Sequence, residues 1–231
     1  MKSIVFGVLV VTLLSLSYGI FTAAAEEAIT YTPPKLGMPT VRVGAGTRTI
    51  GGNADVLLAL VPEHAGLTSK TQPAICWYMS KPRKAKLEIR ALTSEATAPV
   101  LDKEIAKPAR GGIYCANLKD SGVTLEKKAE YKWLISAIDE KGQISKGIYG
   151  GGNIIVTEPS DEFIKKISEA KDTQVPFVSA SSGYWYDAVE SVSELITKHP
   201  KDKNLRGIRA SLLQQVGLEQ AAASDKKTSK R

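Results

Sequence analysis

A mainly β chain with a helical C-terminal part is what this sequence predicts, and three observations carry the prediction. Short apolar runs, one of them in clean alternation, occupy residues 51–158. Clusters such as "KDSG" and "DEKG" punctuate them as turns. After Glu158 and Pro159 the apolar period lengthens to that of a helix. With 43% hydrophobic residues in 231, the chain has enough apolar surface to bury a core.

The N-terminus comes first. Lys2 precedes an apolar run from Ile4 to Leu16, and Ala23, Ala24 and Ala25 then meet Glu26 and Glu27. A basic start, an apolar centre and a small-residue exit make residues 1–25 a secretory signal peptide. The run is too short for a membrane-spanning helix, which needs about 20 apolar residues. With no cysteine near Ala25 to carry a lipid and no later apolar stretch long enough to span, the mature chain reads as exported without a transmembrane anchor, periplasmic or extracellular. Residues 26–50, rich in Pro, Gly and Thr, read as an extended lead-in. Within it "VGAGTR" (Val43 to Arg48) reads as a turn or strand bulge, since no Lys-Ser/Thr pair follows to make it a phosphate loop.

The strands follow in residues 51–158. "ADVLLALV" is a short apolar run, "AICWYMS" is bounded by Pro73 and Pro82, and in "KAKLEIRA" Ala85, Leu87, Ile89 and Ala91 point one way against Lys84, Lys86, Glu88 and Arg90. "VLDKEI", "GGIYCANL", "EYKWLISAI" and "GIYGGGNIIV" continue the series. About seven short strands predict an antiparallel β-sandwich of immunoglobulin/fibronectin type. In the stretch from Leu125 through Tyr131 and Trp133, the leucine and tyrosine would pin a corner of it. That architecture implies no function.

Residues 159–222 read as a helical segment packed on or beside the sandwich. Ser160 caps a helix whose first turn carries Asp161 and Glu162, and a short helix begins near Pro176 and ends at Gly183. In "SSGYWYDAVESVSEL", Trp185, Ala188, Val189, Val192, Leu195 and Ile196 form one apolar face. Trp185 therefore reads as a structural aromatic buried in packing, while helix geometry leaves Tyr184 and Tyr186 able to face outward as a ligand platform. Pro200 stops this helix, and a last one carries Leu205, Ile208, Leu212 and Val216 to Gly217. The positions of Gly183, Ala188, Val192, Leu195 and Pro200 match half of a tetratricopeptide-like hairpin. Residues 223–231, "ASDKKTSKR", read as a disordered basic tail.

Chemistry is sparse. The formal net charge is +7, or +6 once Lys2 leaves with the leader. Lys81, Arg83, Lys84, Lys86 and Arg90 cluster in "SKPRKAKLEIR" and read either as a contact for a polyanion, such as an anionic envelope polymer, or as a solvated strand face. An exported chain without a reader motif excludes nucleic acid as a partner. Cys76 and Cys115 are a candidate disulfide in an oxidising compartment, but alternation turns Cys76 outward if Ile75 and Trp77 face the core, whereas Cys115 could face in, so bonded and free readings both stand. His64 and His199 have no third histidine for a metal cluster, and no H-E-x-x-H, G-x-S-x-G or C-x-x-C occurs. No catalytic residue, cofactor or metal site is read.

The ordered set "VRVGAGTR", "LLALVPE", "GLTSKTQPAICWYM", "YKWLISA", "GYWYDAV" and "LLQQVGL", spread over Val41 to Leu218, resembles the bacterial exported family called domain of unknown function 928. Members show a Gly-Ile-Trp-Tyr-Asp-Ala-Leu segment, in which Tyr184 and Val189 stand here for the isoleucine and leucine. The resemblance implies export and brings no activity, cofactor or catalytic residue. The expectation is an exported non-catalytic module that binds another envelope protein or an anionic surface polymer. The alternative is a glycan hydrolase whose carboxylate pair is brought together by folding.

Overall fold

The computed structural model describes residues 28–34, 42–44, 55–93 and 98–228. The expected signal peptide, much of the lead-in with "VGAGTR" beyond Gly44, and the last three residues of the expected tail lie outside the described residues.

Two sheets form the first part of the chain. The larger contains β1 (Val43–Gly44), β3 (Gly66–Thr68), β5 (Ala85–Ala91), β6 (Leu101–Ile105), β8 (Glu130–Ile138) and β9 (Ile144–Val156). Its path is β1-β9-β8-β5-β6, with β3 added to β9. The smaller has the order β2-β4-β7, from β2 (Leu57–Ala59), β4 (Ala74–Met79) and β7 (Gly112–Asn117). The expected all-antiparallel pattern fails at one place: Gly66, Leu67 and Thr68 run parallel to Ile154, Ile155 and Val156. A three-residue strand with one glycine carries too little periodicity to be read from sequence.

Alternation places the core between the sheets. Ala85, Leu87 and Ile89 of β5 lie opposite Ala137, Ile135 and Trp133 of β8, all buried. From the smaller sheet, Ile75 and Trp77 are buried beneath them. The glycine run of β9 permits this close approach. A Cβ on Gly150 would stand 2.7 Å from the Ala59 nitrogen, and one on Gly152 would stand 2.8 Å from a Val61 methyl. At one corner, the Glu126 N–H donates to the Tyr131 hydroxyl at 2.9 Å, beside buried Leu125.

Five helices follow among the described residues. They are α1 (Asp161–Glu169), α2 (Val175–Ser181), α3 (Trp185–Lys198), α4 (Lys203–Gln215) and α5 (Glu219–Thr228). Ser160 caps α1 by accepting from the Phe163 N–H, and Asp202 caps α4 through the N–H groups of Asn204 and Leu205. Gly183 and Gly217 take positive φ where α2 and α4 end. The expected disordered tail is corrected here, because α5 extends to Thr228. Ala221, Ala222 and Asp225 of α5 are buried, and burying Asp225 against arginines of α4 gives this polar stretch a reason to fold.

The cysteines are joined by a disulfide with a Cα–Cα distance of 4.0 Å. The opposed orientations expected for them do not occur, because Cys76 and Cys115 are directly paired across β4 and β7 and so share one face. Cys76 does face away from Ile75 and Trp77, yet it is buried, since α3 packs against β4.

Candidate functional site

The helix α3 decides where a site can form, and its first turn is locked into the sandwich. Trp185 is fully buried, donates from Nε1 to the Leu60 carbonyl at 2.8 Å and meets Tyr31 edge to face at 4.9 Å. Tyr184 and Tyr186 are buried as well, which removes the outward platform that helix geometry allowed. Tyr184 packs on Phe163 with ring centres 4.2 Å apart. The Tyr186 hydroxyl accepts from Trp133 Nε1 at 2.7 Å and donates to the Asn153 carbonyl at 3.1 Å, and burial pushes this phenol up. A Cβ on Gly66 would meet the Tyr186 ring at 2.7 Å, so glycine makes room for the plug.

Two carboxylates fix the first two turns. Asp187 accepts from Thr68 Oγ1 and Ser69 Oγ, each at 2.5 Å, and from the Ser69 N–H at 3.1 Å. Burial pushes this carboxyl up from the ordinary range, and those donors pull against the shift. Glu190 receives Lys70 Nζ at 2.8 Å on one oxygen and the Ala74 N–H at 3.0 Å on the other. Both groups are structural ties between α3 and the segment from β3 to β4.

Beyond Glu190 the helix faces a cleft of 680 Å³. One wall is β7 and the turn before it, with Arg110, Tyr114, Cys115 and Asn117; the other is Ser193, Glu194 and Thr197 of α3, with residues from α4 and α5. The floor is set by Arg209, which is buried and grips Asp225 through Nε at 2.7 Å and Nη2 at 2.9 Å, while its Nη1 donates to Ser193 Oγ at 2.9 Å. Arg206 joins the same carboxylate at 3.2 Å. This bidentate pair holds α5 against α4 and so keeps the cleft's shape. Hydroxyls, both signs of charge and one tyrosine line the cleft, a mixture able to hydrogen-bond a polar ligand.

The residues singled out from sequence fall elsewhere, Cys115 excepted. Lys81 and Arg83 both pair with Asp55, Lys86 pairs with Asp102 at 2.9 Å, and Arg90 pairs with Glu88 at 2.7 Å. Burial works to raise the Asp55 carboxyl, but Arg83 and Lys81 outweigh it and hold the group below the usual range. Lys84 is exposed, and the five cations lie along a strand and turn that carry their own counter-charges. His64 sits beside the plug with Nε2 2.9 Å from the Tyr31 hydroxyl. Glu190, Arg209 and Asp225 were not read from sequence. Glu190 stands on the apolar side of α3 and is detectable as a carboxylate among buried positions, whereas Asp225 lies in a stretch whose composition conceals it.

Residues 43–226 match a family model described as Domain of Unknown Function (DUF928). No curated protein matches the sequence. Among solved structures the chain is similar to astrotactin-2, a vertebrate-specific, perforin-like membrane protein, at 11% identity and a TM-score of 0.30 over 77% of this chain. It is also similar to a multi-domain immunophilin from Arabidopsis thaliana, at 9% identity and 0.20 over 79% of this chain and 100% of that one. A third is a beta-1,2-glucanase from Parabacteroides distasonis, at 12% identity and 0.23 over 78% of this chain. The chain spans 37% of the astrotactin-2 chain and 25% of the glucanase chain. Likeness at this level assigns no function.

Proposed function

The chain belongs to the DUF928 family, and from that premise we propose that it is an exported, non-catalytic module that binds another envelope protein through the cleft between β7 and α3 to α5. The observation that carries the proposal is the cleft itself: a large polar recess whose two walls are each fixed by buried ties, so that it is held open before any ligand arrives. Export is supported by the leader pattern of residues 1–25 and by the Cys76–Cys115 bond, which persists in oxidising compartments such as the periplasm or the extracellular space. No helix among the described residues is long and apolar enough to cross a membrane.

A protein partner is favoured over an anionic polymer because Lys81, Arg83, Lys86 and Arg90 each spend charge on a neighbouring carboxylate. The immunoglobulin/fibronectin label for the sandwich draws support from the corner made by Leu125 and Tyr131. The tetratricopeptide-like label for α3 and α4 draws support from Gly183 and Pro200 at the ends of α3. As for glycan hydrolysis, Glu190 and Asp225 each have both oxygens engaged, which leaves Glu194 and Asp120 as the carboxylates of the cleft wall to carry it.

Cross-linking in an intact envelope fraction tests the proposal, with a photoreactive residue placed at Thr197. A reproducible protein adduct that a second reactive position on β5 does not give is the expected result. Turnover of cell-wall fragments abolished by Glu194→Gln would replace binding with hydrolysis.

A further inference from the structure

The two long edge strands differ in how they are defended. At the edge of the larger sheet, β6 reads "LDKEI" and presents Asp102, Lys103 and Glu104, the kind of charged edge that discourages pairing with other chains. At the edge of the smaller sheet, β7 reads "GIYCAN" and carries no charge.

Hydrogen bonding shows which groups of β7 are open. The Leu60 N–H donates to the Cys76 carbonyl at 3.0 Å, so the backbone groups of Cys76 point toward β2. At the far end the Leu118 N–H donates to the Pro73 carbonyl. Backbone groups alternate along a strand, and β4 and β7 pair Cys76 with Cys115 and Trp77 with Tyr114. Gly112, Tyr114 and Ala116 therefore bond to β4, while the N–H and C=O groups of Ile113, Cys115 and Asn117 face the open side. Among the described residues no backbone group pairs with them.

Recesses flank this edge on both faces. The cleft lies on the face of Cys115, and a slot of 140 Å³ opens mainly on the face of Trp77, lined by Trp77, Met79, Ile105, Ala106, Pro108 and Ala116, with Tyr114 and Cys115 bordering both recesses. Trp77 is 2% exposed, and its Nε1 has no hydrogen-bond partner among the described residues, whereas Trp133 and Trp185 both donate. A buried indole N–H left unpaired is costly, and it asks for an acceptor.

We infer that the open edge of β7 takes an extended segment of a partner polypeptide as an added strand. This rests on the cleft-binding reading and names the form of its partner. Backbone groups of Ile113, Cys115 and Asn117 pair with the incoming strand, and its alternate side chains enter the polar cleft and the slot. The slot takes a small side chain with an acceptor oxygen, threonine or serine, for Trp77 Nε1. A second copy of the chain pairing β7 with β7 would bring no side chain suited to both recesses, so a foreign strand is the occupant.

Random peptides of about eight residues, the length of an ordinary strand, are selected on the full mature chain and studied by amide exchange. The expected result is alternating sequences with Thr or Ser at every second position. The amides of Ile113, Cys115 and Asn117 should be slowed about tenfold or more on binding, and the Trp77 indole N–H resonance should move. Ile113→Pro removes an outward donor without breaking the β4 ladder and should weaken binding about tenfold or more. The exchange data on the unaltered chain stand if that variant fails to fold. Failure to select any peptide, or binding that leaves the three amides fast, overturns the inference. So does slow exchange at those amides in the free protein, whether concentration-dependent, which marks a second copy, or not, which marks cover by the chain's own residues. An envelope adduct at Thr197 with the β7 amides still open keeps the cleft reading and removes strand addition.

Discussion

The two ends of α3 do opposite things with similar residues. At its start three consecutive side chains meet partners inside the sandwich: the Trp185 indole, the Tyr186 hydroxyl and the Asp187 carboxylate are all buried and bonded. Three turns later Glu194 and Thr197 line an open cleft. The comparison teaches that one helix can be a joint and a wall at once, and that aromatic residues after a glycine mark the joint rather than the site.

Breaking the joint should have the largest effect. Trp185→Ala empties a fully buried aromatic site and strands the Leu60 carbonyl, so urea unfolding should show a loss of about 3–5 kcal/mol. Asp187→Ala comes next. The buried Thr68 donor left unpaired costs about 1–3 kcal/mol and the half-buried Ser69 donors add less, and amide exchange should localise the loosening to β3 and the start of α3.

The wall should respond differently. Thr197→Trp fills the cleft from an exposed position, so unfolding free energy should stay within about 0.5 kcal/mol of the parent, while the envelope adduct disappears from a probe placed at Glu194. A loss of stability comparable to that of Trp185→Ala would erase the distinction between the two ends.

The smallest effect lies at the border of the joint. Burial holds His64 below the ordinary histidine range, with Glu63 pulling the other way. The folded state thus prefers the neutral ring: the contribution is complete above pH of about 6.5 and is lost as pH falls through the depressed value. Thermal unfolding midpoints should therefore fall slightly as pH drops below about 6.5, and His64→Gln should flatten that slope.

Much of the architecture was legible because it rests on local periodicity. The alternation in "KAKLEIRA" and the apolar face headed by Trp185 are single-element signals, and both elements form as read. What escaped depends on pairing between distant residues. β3 is three residues long and is a strand only because β9 lies alongside it. The tail looks disordered by composition and folds because Asp225 pairs with Arg209 and Arg206. The shared face of Cys76 and Cys115 escaped for the same reason, since it is fixed by the register of β4 on β7 and not by either strand alone. The cleft was illegible altogether: its walls come from a strand near residue 115 and helices near residue 225, and neither segment carries a motif.

The parallel pairing of β3 with β9 also dictates an order of assembly. As the chain is made from its N-terminus, β3 emerges long before the strand it needs, and the loop between them must close before the pairing is rewarded. The antiparallel neighbours β4 with β7 and β5 with β6 and β8 can assemble in the meantime, since their partners lie closer in sequence. Only when β9 arrives can β3 seat, and only then does the pocket for Tyr186 exist, because it is bounded by Gly66, Trp133 and Asn153. The helices are thus the last pieces to dock, and a chain interrupted before Trp185 would leave the end of its sandwich unstoppered.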